Sequence, residues 1–443
     1  MSTLARVDLW GVTVGAVLLP DGQTTAIFEY DPEFAERAPV EVSPLLMPRS
    51  REPYRFPGLA YETFRGLPGL LADSLPDRYG DALINTWLAT QGRTPDSFNA
   101  VERLCYIGRR GMGALQFSPA AGPAVDRSKE IAIDALVELA SEVLTHREQL
   151  VASLDEGGMT DTMRDILSVG TSAGGARAKA VIAWNPSTNA VRSGQVEVPA
   201  GFEHWLLKFD GVSGNRDKDV LADPEGYGAI EYAYYEMARA AGIEMTECRL
   251  LEEGGRRHFM TRRFDRTASG GKIHMQSLGA LAHLDFNQPG AHSYEEALLV
   301  VRRLGLPAAS VEQLVRRMVF NVVARNQDDH VKNIAFLMDR DGAWRLAPAF
   351  DMTYAYRPDS PWTGSHQMTI NGKRDRFEIA DLERCAESAL VTHAHARAIV
   401  DEVSMIVRDW PRYAEAAGVD EERTRQIAVT HRLELGQPHR RAA

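Results

Sequence analysis

The sequence predicts an α+β chain in two lobes, a mixed α/β N-terminal lobe followed by a mainly helical C-terminal lobe. Three observations predict it. Short alternating apolar runs such as VDLWGVTVGAVLL and EHWLLKF recur through the first 266 residues, the period-2 pattern of half-buried strands. Farther on, VEQLVRRMVFNVVA at 311–324 carries Val311, Leu314, Val315, Met318 and Val322 at helical spacing. A polar stretch, NQDDHVKN at 326–333, then interrupts the helical part and is followed by two apolar runs and PAFD at 348–351.

Bulk composition bounds the reading. A chain of 443 residues holds two or three packed units, and 44% apolar with 25% charged residues is an ordinary globular balance. The formal net charge is −11, and the one basic run is the short HRR near the C-terminus. Such a chain is not expected to grip nucleic acid by itself. Cys105, Cys248 and Cys385 lie far apart and form no CxxC. Neither a disulfide framework nor a zinc knuckle is expected, and a reducing cytoplasm fits best. MSTLARVDLWGVTVGAVLL contains Asp8, Gly11 and Gly15 and reads as strand–turn–strand rather than a signal peptide. No window is apolar enough to cross a membrane.

In order along the chain, residues 1–124 form a first unit. VDLWGVTVGAVLL, TTAIFEY, RLCYIG and GALQFSP are its alternating runs, and LPGLLADSLPDRYGDALINTWLATQG is a loop and a helix; nothing in it suggests chemistry. Residues 125–266 form a second unit. It opens with a helix over 130–155 that places Ile131, Ala135, Leu136, Leu139 and Val143 on one face. A loop of small residues, strands AVIAW and EHWLLKF, a polar loop at 211–226 and a helix at 228–242 follow. ECRLLEE and RHFMTRRFD then make a hairpin around Gly254 and Gly255. Residues 267–443 are mostly helical, apart from the polar loop and the pair NIAFLM and AWRLAPAF around a DRDG turn.

That polar loop has the layout of a phosphoryl-transfer site in a protein-kinase-like fold. Asp328 and Asn333 are five residues apart and Asp351 follows 18 later. One carboxylate would orient an attacking hydroxyl, while Asn333 and Asp351 are hard oxygen donors suited to Mg²⁺. Lys332 is placed to offset charge on a transferred phosphoryl group. His330 reads equally as a loop brace or a nucleotide contact, and Asp329 is expected to face solvent. Upstream, TSAGGARAK at 171–179 lets backbone N–H groups approach phosphates, without Walker A spacing. In EHWLLKF, Trp205, Leu207 and Phe209 share one strand face and Leu206 and Lys208 the other. Lys208 there either meets a nucleotide phosphate or snorkels to water. Glu231 on the following helix either pairs with Lys208 or lies on an exposed face. RRFDR at 262–266 reads as a turn laced with ion pairs, and His274, His283 and His292 as structural.

Together, LPGLLADSLPDR, GTSAGGARAK, LLKF, IEYAYYEMARAAGI, RRFDR, NQDDHVKN and PAFD resemble the HipA family, kinase toxins of bacterial type II toxin–antitoxin modules. The resemblance covers most of the chain. It implies a Ser/Thr protein kinase using ATP and Mg²⁺, with Asp328 catalytic and Asn333 and Asp351 on the metal. Lys208 resembles the lysine on the ATP phosphates, and the loop Ala173, Gly174, Gly175, Ala176, Arg177, Ala178, Lys179 the one that covers them. Arg262, Arg263 and Phe264 fall where the connection between lobes touches adenine, and His330 and Phe350 join the nucleotide site. Ser172 falls at an inhibitory autophosphorylation serine, with Ser168 and Thr171 as neighbours. Implied partners are a basic helix-turn-helix antitoxin, through which alone DNA is met, and a substrate such as an aminoacyl-tRNA synthetase. Ala178 and Arg177 depart from the Glu or Pro and the Gln of other members. Met352 follows Asp351 where eukaryotic kinases have Phe-Gly. The alternatives are a small-molecule kinase of similar architecture and a catalytically dead corepressor that binds the antitoxin.

Overall fold

The structure is a computed structural model that describes residues 2–122, 131–145, 166–167, 169–170, 177–196, 198–212 and 226–435. Its first hairpin follows from two left-handed residues: Trp10 at φ 52° and Gly11 at φ 86° turn β1 (Thr3–Leu9) into β2 (Val12–Leu19). Two positive φ values give the turn the twist that hairpin strands need. β3 (Ile27–Tyr30) and β4 (Leu115–Ser118) complete an antiparallel sheet in the order β3-β2-β1-β4. Alternate residues Val7, Val17, Phe28 and Phe117 face its core.

RLCYIG is not a strand here. It lies in helix α2 (Ala100–Ile107), after α1 (Arg78–Thr90). Asn99 accepts from the Glu102 amide while Glu102 accepts from the Asn99 amide, so a capping box starts a helix in a segment whose apolar residues also fit a strand. The loop before α1 docks on the C-terminal lobe. Asp73 accepts from the Ser277 amide and hydroxyl at 2.7 Å each. Gly69 donates its amide to His283 Nε2 at 3.0 Å. A Cβ at Gly69 would sit 2.3 Å from the Ala280 carbonyl oxygen, so the approach requires glycine.

The second sheet is antiparallel in the order β6-β5-β7-β9-β8, from β5 (Lys179–Trp184), β6 (Val191–Ser193), β7 (Glu203–Lys208), β8 (Cys248–Glu253) and β9 (Arg256–Arg262). Trp205 and Leu207 pack with Leu136 and Ala140 of α3 (Ile133–Thr145). α4 (Tyr227–Ala240) joins sheet and helical lobe: Tyr235 packs on Cys248 and Phe259, while Tyr234 and Met237 enter the large C-terminal core.

That core is built around α5 (Tyr294–Arg303), α6 (Ala308–Val323) and α7 (His393–Arg408). α6 begins three residues before its apolar run and buries Leu314, Met318 and Phe320. β10 (His274–Ser277), β11 (Ala335–Met338) and β12 (Trp344–Leu346) form a small antiparallel sheet beside it. Met338 and Trp344 pack into the core of the first unit, so the hairpin carrying the 326–333 loop also seats that unit. No helix among the described residues is long and apolar enough to cross a membrane.

Candidate active site

Register puts two lysines side by side. β5 and β7 pair with Lys179 directly opposite Lys208, so both side chains leave the same face of the sheet. α4 offers Glu231, nearly fully buried, whose Oε1 lies 2.5 Å from Lys208 Nζ. On the other side of the same ammonium is Asp351 Oδ1 at 2.6 Å. Burial alone would discharge Lys208, but Asp351 and Glu231 outweigh it and hold its pKa above the ordinary value. Burial likewise pushes the Asp351 carboxyl up, and Lys208 and Lys179 more than offset it, leaving it lowered. At Glu231 burial wins over Lys208, and its pKa is raised.

Asp351 itself stands at φ 53°, a left-handed conformation uncommon for a residue with a side chain. Asn326 holds it there by donating Nδ2 to its carbonyl oxygen at 3.2 Å.

The 326–333 loop starts where α6 ends, through Arg325 at φ 61°. Asn333 folds back and donates Nδ2 to the Asp328 carbonyl oxygen at 2.8 Å, which leaves its amide oxygen as an outward donor atom. The Asp328 carboxylate stays 40% exposed, with His330 Nε2 3.9 Å away. His330 and Lys332 flank one aromatic ring, Phe286: ring centroids are 5.6 Å apart for His330, and Lys332 Nζ lies 4.8 Å from the ring centre. A cleft lined by Asn326, Asp329, His330, Asn333, Phe350 and Asp351 runs behind the loop.

Asp329 does not face solvent. It is 3% exposed and accepts from His366 Nδ1 at 2.8 Å, the Gln367 amide at 2.8 Å and Tyr294 Oη at 2.9 Å. Two adjacent aspartates on an extended loop point opposite ways, so exposing Asp328 drives Asp329 inward. Burial raises its pKa, and His366 with the other donors brings it below the ordinary value.

Beside Glu231, Arg177 lies 3.2 Å above the Tyr227 ring and 3.9 Å from the Glu231 carboxylate. Lys179 Nζ is 2.9 Å from Asp77 Oδ2, both side chains being buried. Asp77 is a residue that sequence reasoning missed: it caps α1 in the first unit, where no chemistry was expected. The polar character of LPDR was visible, but its target 102 residues later was not. Arg262 pairs with Glu203 at 3.2 Å and Glu247 at 3.8 Å. Arg263 is buried, donates two side-chain bonds to Asp265, at 2.8 and 2.7 Å, and donates its backbone amide to the His204 carbonyl at 2.9 Å. Phe264 and Phe350 meet at 5.6 Å between ring centres and form an apolar surface. Ser168, Thr171, Ser172, Ala173, Gly174, Gly175 and Ala176 lie outside the described residues, as does most of the polar loop at 211–226.

Two family models match: the HipA N-terminal domain over residues 5–118 and the HipA-like C-terminal domain over residues 171–410. Among curated proteins, "Putative kinase Y4mE" of Sinorhizobium fredii is 28% identical over 176 residues, 35% of this chain and 42% of that protein. A "Putative kinase" of Haemophilus influenzae is 25% identical over 159 residues, 32% of this chain and 46% of that one. The match thus spans less than half the length of either relative. Among solved structures, HipA of Shewanella oneidensis MR-1, crystallised with HipB and its operator DNA, aligns with a TM-score of 0.65 at 15% identity. That alignment covers 98% of this chain and 96% of the other. The fold is therefore α+β, two-lobed and kinase-like.

Proposed function

The chain belongs to the HipA family, and from that premise we propose that it is a Ser/Thr protein kinase dependent on ATP and Mg²⁺. The observation that carries the proposal is Lys208, buried between Glu231 at 2.5 Å and Asp351 at 2.6 Å. A buried lysine held by two carboxylates can bind a phosphate in exchange for one of them.

The residues fit a magnesium nucleotide. Among the described residues no three His, Cys, Asp or Glu side chains converge on one point, so Asn333 and Asp351 would supply a pair of oxygens and the phosphates the rest. The ion would neutralise charge on the phosphate oxygens. Asp351 would help hold the ion, Lys208 would bind the phosphates, and Glu231 would keep the ammonium in place. Phe264 and Phe350 offer an apolar face to the base. Asp328 accepts a hydrogen bond from the acceptor hydroxyl, orients its oxygen toward the γ-phosphorus and takes the proton as that O–P bond forms. The bond from phosphorus to the bridging oxygen breaks and ADP leaves, while Lys332 offsets charge on the group in flight.

The finer reading is a toxin that phosphorylates a translation protein, such as an aminoacyl-tRNA synthetase, and silences itself by phosphorylating Ser172. A phosphate there adds about −1.5 to −2 charges, five residues before Arg177 and seven before Lys179 in the sequence. The net charge of −11 favours a division of labour in which a small basic helix-turn-helix partner makes the DNA contacts. Incubation of the purified chain with labelled ATP, Mg²⁺ and cell extract is the test. Label should enter protein, and Asp328→Asn should abolish it. Label found only in small metabolites would refute the protein-kinase reading. A DNA shift by the chain alone at physiological salt would refute the division of labour.

A further inference from the structure

Behind the loop lies a run of buried polar groups with its hydrogen bonds in series. It begins at the C-terminal segment. Arg432 donates its backbone amide to the Val323 carbonyl at 2.9 Å, and Arg325 Nε donates to the Thr430 carbonyl at 2.7 Å, so residues 430–432 are stitched under the end of α6. The Arg432 guanidinium donates to Asp375 and, at 2.9 Å, to His366 Nε2. An arginine only donates, so His366 Nε2 accepts and its proton sits on Nδ1. That Nδ1–H is 2.8 Å from Asp329 Oδ2. The same oxygen accepts from Tyr294 Oη at 2.9 Å. Tyr294 Oη accepts in turn from Asn321 Nδ2 at 3.0 Å, and Asn321 Oδ1 accepts from Asn326 Nδ2 at 2.9 Å. Asn326 Nδ2 has a second hydrogen, and it reaches the carbonyl of Asp351 at 3.2 Å.

The donor of every step is fixed: bonds from Arg432 through His366 and from Asn326 through Asn321 and Tyr294 converge on Asp329, and Asn326 also donates to Asp351. The charges balance as well: Asp329 and Asp375 against Arg432 and Arg325, with neutral His366 between. The series starts at Arg432, passes through the residue beside Asp328 and ends at the backbone of Asp351, held at φ 53°. Neither of the last two places is otherwise fixed by a helix or strand.

We propose that Arg432, His366, Asp329 and Tyr294 are positioning residues, and that through them the C-terminal segment at 430–432 sets the separation between the Asp328 carboxylate and the metal-facing Asp351. The inference deepens the kinase reading and rests on it for its kinetic arm. A pair of catalytic groups on two irregular segments needs such a common brace, because misplacement of about 1 Å can cost about 10²-fold in rate.

The test uses the full chain. Tyr294→Phe removes one oxygen and little volume, so folding is least threatened. His366→Leu removes both bonds of the ring, whereas His366→Asn keeps a donor near the place of Nδ1. In Tyr294→Phe and His366→Leu, kcat per nucleotide-binding site should fall roughly tenfold or more, as for loss of a bond to a charged group. The Mg²⁺ concentration for half-maximal nucleotide binding should rise several-fold, and amide hydrogen exchange at 327–333 and 351–355 should speed up. His366→Asn should recover part of each loss. Two results would overturn the proposal: unchanged exchange and Mg²⁺ dependence in both variants, or activity lost only in proportion to binding sites lost. Exchange and Mg²⁺-dependent nucleotide binding are read without phosphotransfer. A chain that transfers no phosphate would therefore sink the kinase reading and still leave the brace decided.

Discussion

The two larger sheets are built by the same rule and used differently. In β3-β2-β1-β4 the inward residues are apolar, Val7, Val17, Phe28 and Phe117 among them. That sheet is a packing surface. In β6-β5-β7-β9-β8 one face is equally apolar, with Trp205 and Leu207 against α3, but the other carries Lys179 and Lys208 as direct neighbours. Two ammonium groups so close repel. They are tolerated because three carboxylates come to them from elsewhere: Glu231 from α4, Asp351 from beyond β12 and Asp77 from the first unit. A sheet can carry charge on a covered face only where neighbouring elements deliver the counter-charge.

The comparison breaks most sharply at the acceptor side. Asp328→Asn should lower kcat by ~10²–10⁴ while leaving nucleotide affinity and thermal midpoint near wild type. Steady-state kinetics beside a melting curve checks it, and a variant of full activity would show that this carboxylate is not the one at work. The reverse signature belongs to the first sheet. Phe28→Ala, at a site with no exposure, should cost about 3–5 kcal/mol of stability, read by denaturant titration. Activity per folded molecule should not change.

A smaller effect tests whether the first unit is only packing. Asp77→Asn keeps shape and removes one charge facing Lys179 at 2.9 Å. Apparent ATP affinity should drop roughly tenfold or more, the size expected of a charge-assisted bond worth about 1.5–3 kcal/mol. Identical ATP affinity in this variant would confine the first unit to a scaffold.

The last prediction concerns acid. Burial lowers His204, His274 and His283 from 6.5 to about 4, and His431 to about 3. The unfolded chain takes up these protons near pH 6.5 and the folded chain only near 4. The stabilisation is therefore complete above 6.5 and is lost as pH falls through 4. His274 reaches the Val42 carbonyl and His283 the Gly69 amide, so contacts of the first unit should loosen along with the fold. Thermal midpoints should decline steadily from pH 7 to 4.5; a flat profile would mean that these rings titrate normally.

Much of this was present in the order of residues. Alternation gave β1, β2, β5 and β7, helical spacing gave α4 and α6, and the five-residue step from Asp328 to Asn333 with Asp351 18 beyond marked the cleft. Those are local facts, since a strand or helix period and a loop between fixed ends are set by neighbours in the chain. RLCYIG shows the limit even there: its apolar residues suited a strand, and the capping box around Asn99 and Glu102 made it a helix.

What only the tertiary structure decided was which charges meet. Asp77 and Lys179 are 102 residues apart, and Arg432 and His366 are 66 apart. Asp329 and Asp328 are identical letters side by side, yet one is 40% exposed in its side chain and the other 1%. A carboxylate's fate depends on the donors brought to it. For Asp329 those arrive from Tyr294, His366 and Gln367 on segments that no local pattern places together.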